Sequence, residues 1–333
     1  MRPKRSRVRA EVPARTALVG NPSDGFGGAT IAVTLPELRA SVTTSPARSV
    51  HIEAADARMS FADAAELVAA ASTGAYPPAG PLALAMAAAS RTCERAQAAG
   101  TALEGLGFHL DVADSTIPPR VGLAGSSAIV IGVIRSLGEL LGAAPTRDEL
   151  PALALACEAD ELGIAAGLQD RVVQAHGGLV FMDFDATDPS GGRYEPLDRA
   201  QLPPLCVFWL ADAPTDSGTT HQTVRERHAR GDREVRDTMD EIAALAHAGR
   251  TALIRRDHEA LGALMARNFD LRRRIYSLDP RHTALVEVAR ALGVPANYTG
   301  SGGAIVTFAT DAGRMAQLHD ELERRGCRSL PVA

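Results

Sequence analysis

The order of apolar and polar residues divides the chain into segments with different periods. "RTALVGN" (15–21) and "ATIAVTL" (29–35) are apolar, partly β-branched runs on either side of the glycine-rich "NPSDGFGG", which predicts two short strands around a loop. Residues 62–100 are rich in alanine and read as helix. In "GFHLDVAD", Phe108, Leu110 and Val112 alternate with His109, Asp111 and Ala113, the pattern of a half-buried strand, and "STIPPR" ends it. From Ser126 onward the period changes. Ile129, Val130, Val133, Ile134, Leu137, Leu140 and Leu141 mark one face of a helix turned toward a core. "TRDE", Thr146 to Glu149, has the form of a capping box opening a second helix, which carries Glu158 and Asp160. "GIAAGLQDRVVQAHGG" follows, then the strand "LVFMDF".

The polar, proline-containing stretch 185–203 reads as a domain boundary. "LCVFWLAD" opens the second half as a buried strand, and helical patterns fill 217–293. "ANYTGSGGAIVTFAT" reads as strand, glycine loop, strand, followed by a last helix from about Ala312 to Arg325. The elements sum to an α+β chain of two domains, each with helices on a largely antiparallel sheet. The expected organisation is a disordered basic tail over 1–14, an N-terminal domain over 15–195 and a C-terminal domain over 196–333.

Composition narrows the function. At 333 residues, 46% hydrophobic and 23% charged, the chain matches a soluble globular protein with a substantial core. A net charge of −5 argues against a nucleic-acid binder. No apolar run reaches about 18 residues, so no membrane span is expected. The basic N-terminus lacks the apolar stretch of a secretory signal. Cys93, Cys157, Cys206 and Cys327 form no pair motif, which argues against a disulfide framework or a zinc site and fits a cytoplasmic location. Lys4 is the only lysine, so any phosphate must be held by backbone N–H groups, arginine and a metal ion.

Three stretches carry candidate chemistry. "VGLAGSSAIV" (121–130) places glycines and two serines at the mouth of a helix, where unpaired N–H groups and the helix dipole favour an anion. The competing reading is a glycine turn whose serines only cap the helix. The stretch is not a P-loop, because the G-x-x-x-x-G-K-[ST] pattern is absent. "TGSGGA" (299–304) is a second glycine loop, and its competing reading is a plain hairpin turn. Two such loops, one per domain, suggest a nucleotide held in a cleft between domains. "EADELGIAAGLQD" places Glu158 twelve residues before Asp170, a candidate base or metal ligand, with a solvated helix face as the alternative.

The ordered set "RTALVGNPSDGFGG", "IPPRVGLAGSSA", "EADELGIAAGLQDR" and "NYTGSGGA" resembles the GHMP small-molecule kinases, over about residues 14 to 310. Within that family, "GNPSD", "GLAGSSAIV", "LGIAAGLQDRVVQ", "SGTTHQTVRERHARGD", "NFDLRRR" and "NYTGSGGA" are similar to the glucuronokinase subgroup. The resemblance implies an N-terminal domain like ribosomal protein S5 domain 2 and a ferredoxin-like C-terminal domain. It also implies ATP and Mg²⁺ as cofactors, with Gly122, Leu123, Ala124, Gly125, Ser126, Ser127 and Ala128 as the phosphate loop. By the same resemblance Ser127 and Glu158 hold the metal, Asp170 orients or deprotonates the attacking hydroxyl, and Arg15 lies near the transferring phosphoryl group. Asn21, Asp24, Gly300, Ser301, Gly302 and Gly303 fall on the substrate motifs. "NPSDGFGG" departs from the family's commoner first motif, which makes galactose an unexpected acceptor.

The expected substrate is therefore a sugar acid, D-glucuronate, phosphorylated at its anomeric hydroxyl. Its carboxylate calls for an arginine, with Arg171, Arg225, Arg227 and the run Arg272, Arg273, Arg274 as candidates. The alternatives are a family kinase with another acceptor, of the mevalonate or homoserine type, and a non-catalytic ligand-binding relative. A dinucleotide-dependent oxidoreductase fits poorly, because "GLAGSSA" lacks the G-x-G-x-x-G spacing. The expected partners are ATP and the small-molecule substrate, without nucleic acid or membrane, in a monomer or homodimer.

Overall fold

The computed structural model describes residues 7–184, 192–211, 218–300 and 302–332, which form two compact units interleaved along the chain. Unit 1 comprises residues up to Ala14, then Pro36–Ile117 and Ala124–Ala175. Unit 2 comprises Arg15–Leu35, Pro118–Leu123 and His176–Ala333. The expected boundary at 195 and 196 falls inside the second unit.

Strand β1 (Val8–Val19) and strand β2 (Ala29–Ala47) each begin or end in both units. β1 starts inside the segment expected to be a disordered tail, because Val12 and Ala14 are apolar enough to be fully buried. In unit 1, β2 pairs antiparallel with β5 (Gly107–Ser115), and β3 (Val50–Ala54) pairs parallel with β5 and antiparallel with β4 (Ala57–Phe61). A parallel pair needs a long crossover. Helices α1 (Ala64–Ser72) and α2 (Pro81–Ala98) provide it, so the alanine-rich stretch is two helices, the second opened by Pro81 at its first turn. Phe108, Leu110 and Val112 are buried as the alternation predicts.

Helix α3 (Gly125–Leu141) lies against β1 and β2 at Gly132, where a Cβ would come within 2.6 Å of Val42 Cγ2. Before α4 (Leu150–Ala159), Glu149 N donates to Thr146 Oγ1 and Thr146 N donates to Glu149 Oε2, the reciprocal pair of a capping box. Helix α5 (Gln169–His176) carries the chain to the end of unit 1 at Ala175.

In unit 2, residues Ala29–Val33 of β2 pair with β6 (Leu179–Asp183), and β6 pairs with β7 (Arg193–Leu197). The stretch expected as a linker thus contains a strand; residues 185–191 lie outside the described residues. A second sheet is antiparallel throughout and contains β8 (Leu205–Leu210), β9 (Ala296–Tyr298), β10 (Ala304–Phe308) and β11 (Cys327–Val332), in the order β11-β8-β10-β9. The chain between β8 and β9 forms α6 (Gly218–Ala229), α7 (Arg233–Arg255), α8 (His258–Ile275) and α9 (Pro280–Ala291), and α10 (Ala312–Glu323) precedes β11. Phe208, Phe269, Leu285, Val286, Ile305, Leu318 and Leu322 make its core. Among the described residues no helix is long and apolar enough to cross a membrane.

Candidate active site

The first glycine motif is divided between the units, with Val121–Leu123 in unit 2 and Ala124–Val130 in unit 1, and the second glycine motif lies in unit 2. Within unit 2, Gly300 packs against the backbone of Gly122 and Gly303 against that of Val121. A Cβ on Gly300 would sit 2.7 Å from the Gly122 carbonyl oxygen and 2.8 Å from Arg15 Nη2. A Cβ on Gly303 would sit 2.8 Å from Val121 Cα. Glycine is needed at these positions for close approach, not only for turning. Gly302 has a left-handed φ of 121°, and Ser301 lies outside the described residues.

Arg15 ties these segments together. It is 3% exposed, and its Nη1 donates to the Gly122 carbonyl at 2.6 Å and to the Thr299 carbonyl at 2.9 Å. Thr299 Oγ1 also donates to the Gly122 carbonyl, at 2.9 Å, and the Arg15 N–H donates to the Leu123 carbonyl at 3.2 Å. A trans peptide points its C=O and the next N–H in opposite directions. With the carbonyls of Gly122 and Leu123 drawn toward Arg15, the N–H groups of Leu123 and Ala124 point away from it. Left-handed conformations at Gly122 (φ 75°) and Ala124 (φ 63°) turn the chain directly into α3. Successive N–H groups in such turns form an anion-binding concavity.

Among the described residues no side chain caps the start of α3. The simple capping reading of the serines therefore fails, and the first-turn N–H groups keep their positive end open to an anion. Ser126 is exposed, whereas Ser127 is buried and Ala128 with it.

In unit 1, Ser127 Oγ donates to Gln174 Oε1 at 2.6 Å. The amide of Gln174 is oriented by its other contacts, since its Nε2 donates to the carbonyls of Pro13 at 2.8 Å and Ala124 at 3.0 Å. Its oxygen then faces Ser127 as the nearer acceptor, the Ala124 carbonyl standing farther off at 3.2 Å, so the hydroxyl proton is directed at Gln174 and the oxygen's lone pairs are left for a cation. Gln174 lies in "LGIAAGLQDRVVQ" on α5 but is absent from the sequence-based candidates, because nothing local in the sequence sets it apart from the other polar residues of that helix.

Glu158, near the end of α4, is 2% exposed, and its Oε2 accepts from Arg171 Nη2. Arg171 Nη1 donates to the Gly167 carbonyl at 2.7 Å and lies 3.9 Å from Asp170 Oδ2. The expected metal ligand and the expected base thus flank one buried guanidinium. Asp170 stands in the first turn of α5, with Gln169 Nε2 donating to its Oδ1 at 3.3 Å. Its side chain remains 22% exposed, enough to meet a substrate hydroxyl.

The first-motif residues sit in unit 2. Asn21 is buried; its Oδ1 accepts from Arg272 Nη1 at 2.7 Å, and its carbonyl accepts from Asn268 Nδ2 at 2.9 Å. Asp24 is half-buried in the turn Ser23–Phe26 and interacts electrostatically with Arg272 and Tyr276.

The candidate arginines separate clearly. Arg171 pairs with Glu158, Arg227 with Asp232 and Glu234, and Arg273 with Glu287. Arg274 is exposed. Arg225 is half-buried beside Gly25 and Tyr276. Arg272 alone of the run is buried, so that run is not simply a solvated helix face.

Comparison with known proteins shows the family. Residues 83–178 match the family described as GHMP kinases N terminal domain, and residues 250–328 match GHMP kinases C terminal. The chain is 37% identical over 330 residues to glucuronokinase 1 of Arabidopsis thaliana, covering 96% of this chain and 90% of the relative. It is 39% identical over 331 residues to the probable glucuronokinase 2 of the same plant, covering 96% and 89%. The fold matches the crystal structure of mevalonate kinase from Methanococcus jannaschii with a TM-score of 0.72 at 16% identity, over 99% of this chain and 98% of that one.

Proposed function

The chain belongs to the GHMP kinases, ATP-dependent small-molecule kinases, and from that premise we propose that it phosphorylates D-glucuronate at the anomeric hydroxyl to give glucuronate 1-phosphate and ADP. The observation that carries the nucleotide half of this reading is the uncapped start of α3 behind a loop whose carbonyls are turned away by Arg15. Glucuronate is the acceptor because both full-length relatives bear that name and the chain aligns with them nearly end to end.

Phosphoryl transfer asks a protein for positioning and charge stabilisation more than for covalent chemistry. The N–H groups of Leu123, Ala124 and the first turn of α3 hold the phosphates of ATP, within the loop Gly122–Ala128. Arg15 fixes that loop and adds positive charge behind it. Asn21, Asp24 and the Gly300–Gly303 turn hold the sugar. The Asp170 carboxylate orients the anomeric hydroxyl and accepts its proton while the oxygen forms a bond to the γ-phosphorus and the bond to the β–γ bridging oxygen breaks.

The donors also fit Mg²⁺, which takes hard oxygen ligands and pairs one or two protein groups with substrate phosphates. Ser127, its proton committed to Gln174, and the Glu158 carboxylate would hold it. When bound, the ion supplies charge neutralisation on the transferring phosphates. Arg171, which grips Glu158, keeps that carboxylate in one orientation.

An ADP-coupled assay over a panel of sugars and sugar acids tests the assignment. Glucuronate should give the highest kcat/KM. A neutral sugar or another acid that exceeds it by about tenfold, roughly 1.4 kcal/mol in transition-state energy, overturns the acceptor.

A further inference from the structure

Arg272, in the last turn of α8, is 1% exposed and among the largest fully buried side chains. One nitrogen of its guanidinium is engaged: Nη1 donates to Asn21 Oδ1 at 2.7 Å and to the Gly300 carbonyl at 2.5 Å. Nε and Nη2 have no hydrogen-bond partner among the described residues. These two groups form a single edge of the guanidinium plane, and their N–H bonds run side by side. That edge matches the two oxygens of a carboxylate.

The surroundings of this edge are aromatic and carry charges of both signs. The Arg272 Cζ lies 5.3 Å from the ring centre of Tyr276 and 5.4 Å from that of Tyr298, so aromatic rings line its surroundings. Burial pushes the guanidinium below its ordinary value; Tyr276, Tyr298 and Asp24 oppose that shift, and the positive charge of Arg15 adds to it. Two buried guanidiniums thus share a region with the half-buried carboxylate of Asp24. Buried charged donors are costly when unmet, and native proteins rarely keep them without a purpose. Arg272 also touches both substrate motifs, through Asn21 and Gly300.

We propose that the Nε–Nη2 edge of Arg272 receives the carboxylate of the sugar acid, with Asn21 and Gly300 fixing the guanidinium from its other side. The inference rests on the sugar-acid kinase reading above and names the residue that gives it acid specificity. Arg272 is a binding and specificity residue and takes no part in the transfer of the proton or the phosphoryl group.

The test compares glucuronate with glucuronamide, which keeps the ring and hydroxyls and replaces the carboxylate by a neutral amide. Wild-type protein should prefer the acid by about 100-fold in kcat/KM, the scale of a desolvated arginine–carboxylate contact. In Arg272→Lys and Arg272→Gln that preference should fall to within about tenfold and about threefold of unity, with the loss carried by KM for the acid. A purely structural arginine would weaken both substrates together and leave the ratio unchanged, and that result overturns the proposal. If the variants do not fold, a crystal structure of the wild-type protein with glucuronate decides: the carboxylate on Nε and Nη2 supports the proposal, and the carboxylate on Arg225 or any other group overturns it. Wild-type protein that turns over no sugar acid would overturn the functional reading and this inference with it, whereas good glucuronate turnover with an unchanged ratio overturns this inference alone.

Discussion

Gln174→Leu separates stability from the metal role proposed for Ser127. The substitution nearly preserves size but removes both the amide oxygen and the two N–H donors of a buried side chain. Three bonds disappear: Ser127 Oγ to Oε1, and Nε2 to the carbonyls of Pro13 and Ala124. The consequences are unequal. The Ala124 carbonyl still accepts from Ala128 N at 3.2 Å, and the Ser127 hydroxyl turns to that same carbonyl, also at 3.2 Å. Pro13 is half-buried, so water replaces part of its loss. One good bond and one partly compensated carbonyl correspond to about 2–3 kcal/mol. For a chain of this length that lowers the thermal midpoint by roughly 3–4 °C.

The second effect is on the metal. Once its proton points at Ala124, the Ser127 oxygen presents its lone pairs in a different direction. A lost orienting partner of this kind typically raises the metal requirement about 10- to 100-fold. The assay is ADP release at saturating ATP and sugar acid while Mg²⁺ is titrated, alongside thermal unfolding of the same preparations. A variant that loses stability yet keeps the wild-type Mg²⁺ requirement would refute the assignment of Ser127 as a metal ligand oriented by Gln174.

Three further outcomes follow from the same geometry. Asp170→Asn keeps the shape of the side chain but cannot accept the hydroxyl proton; turnover should fall by at least about 10²-fold while calorimetry shows unchanged ATP binding, and unaltered turnover removes Asp170 from the mechanism. Gly300→Ala drives a methyl group to 2.7 Å from the Gly122 carbonyl and 2.8 Å from Arg15, which should cost about 1–3 kcal/mol in urea unfolding and weaken ATP binding; a wild-type ATP affinity would show that the two glycine motifs do not depend on each other. Burial pushes the Cys93 and Cys157 thiols up to about 12 and those of Cys206 and Cys327 up to about 11. The folded chain therefore keeps thiol protons that the unfolded chain releases above about 9, so stability should fall as pH rises from about 9 toward 11 and 12. A thiol reagent at pH 8 should label the native protein only slowly and label all four cysteines in urea; rapid native labelling contradicts that burial.

Local pattern was a good guide wherever one element decides its own fate. The alternation at Phe108, Leu110 and Val112, the capping box at Thr146, and the helix that follows Ser126 all depend on neighbours in sequence. The family motifs likewise made the kinase fold readable. What escaped the sequence depends on distant contacts. Interleaving of the two units follows from β1 and β2 running through both, which no local period announces. β7 and β11 are edge strands with mixed polarity, so their pattern resembles loop until a neighbour supplies the ladder. The role of Arg15 as a clamp rests on carbonyls 107 and 284 residues away. Gln174 was hidden for the same reason, and Arg272 stood only as one of six candidate arginines until its burial and its partners Asn21 and Gly300 set it apart.

In the proposed reaction the γ-phosphoryl group of ATP moves onto the anomeric oxygen of a sugar acid. Phosphorus NMR of a reaction containing purified protein, ATP, Mg²⁺ and glucuronate observes that bond directly. The predicted result is an equimolar gain of ADP and of one new phosphomonoester signal coupled to the anomeric proton. Free phosphate in place of the ester, or an ester coupled to any other sugar proton, would contradict it.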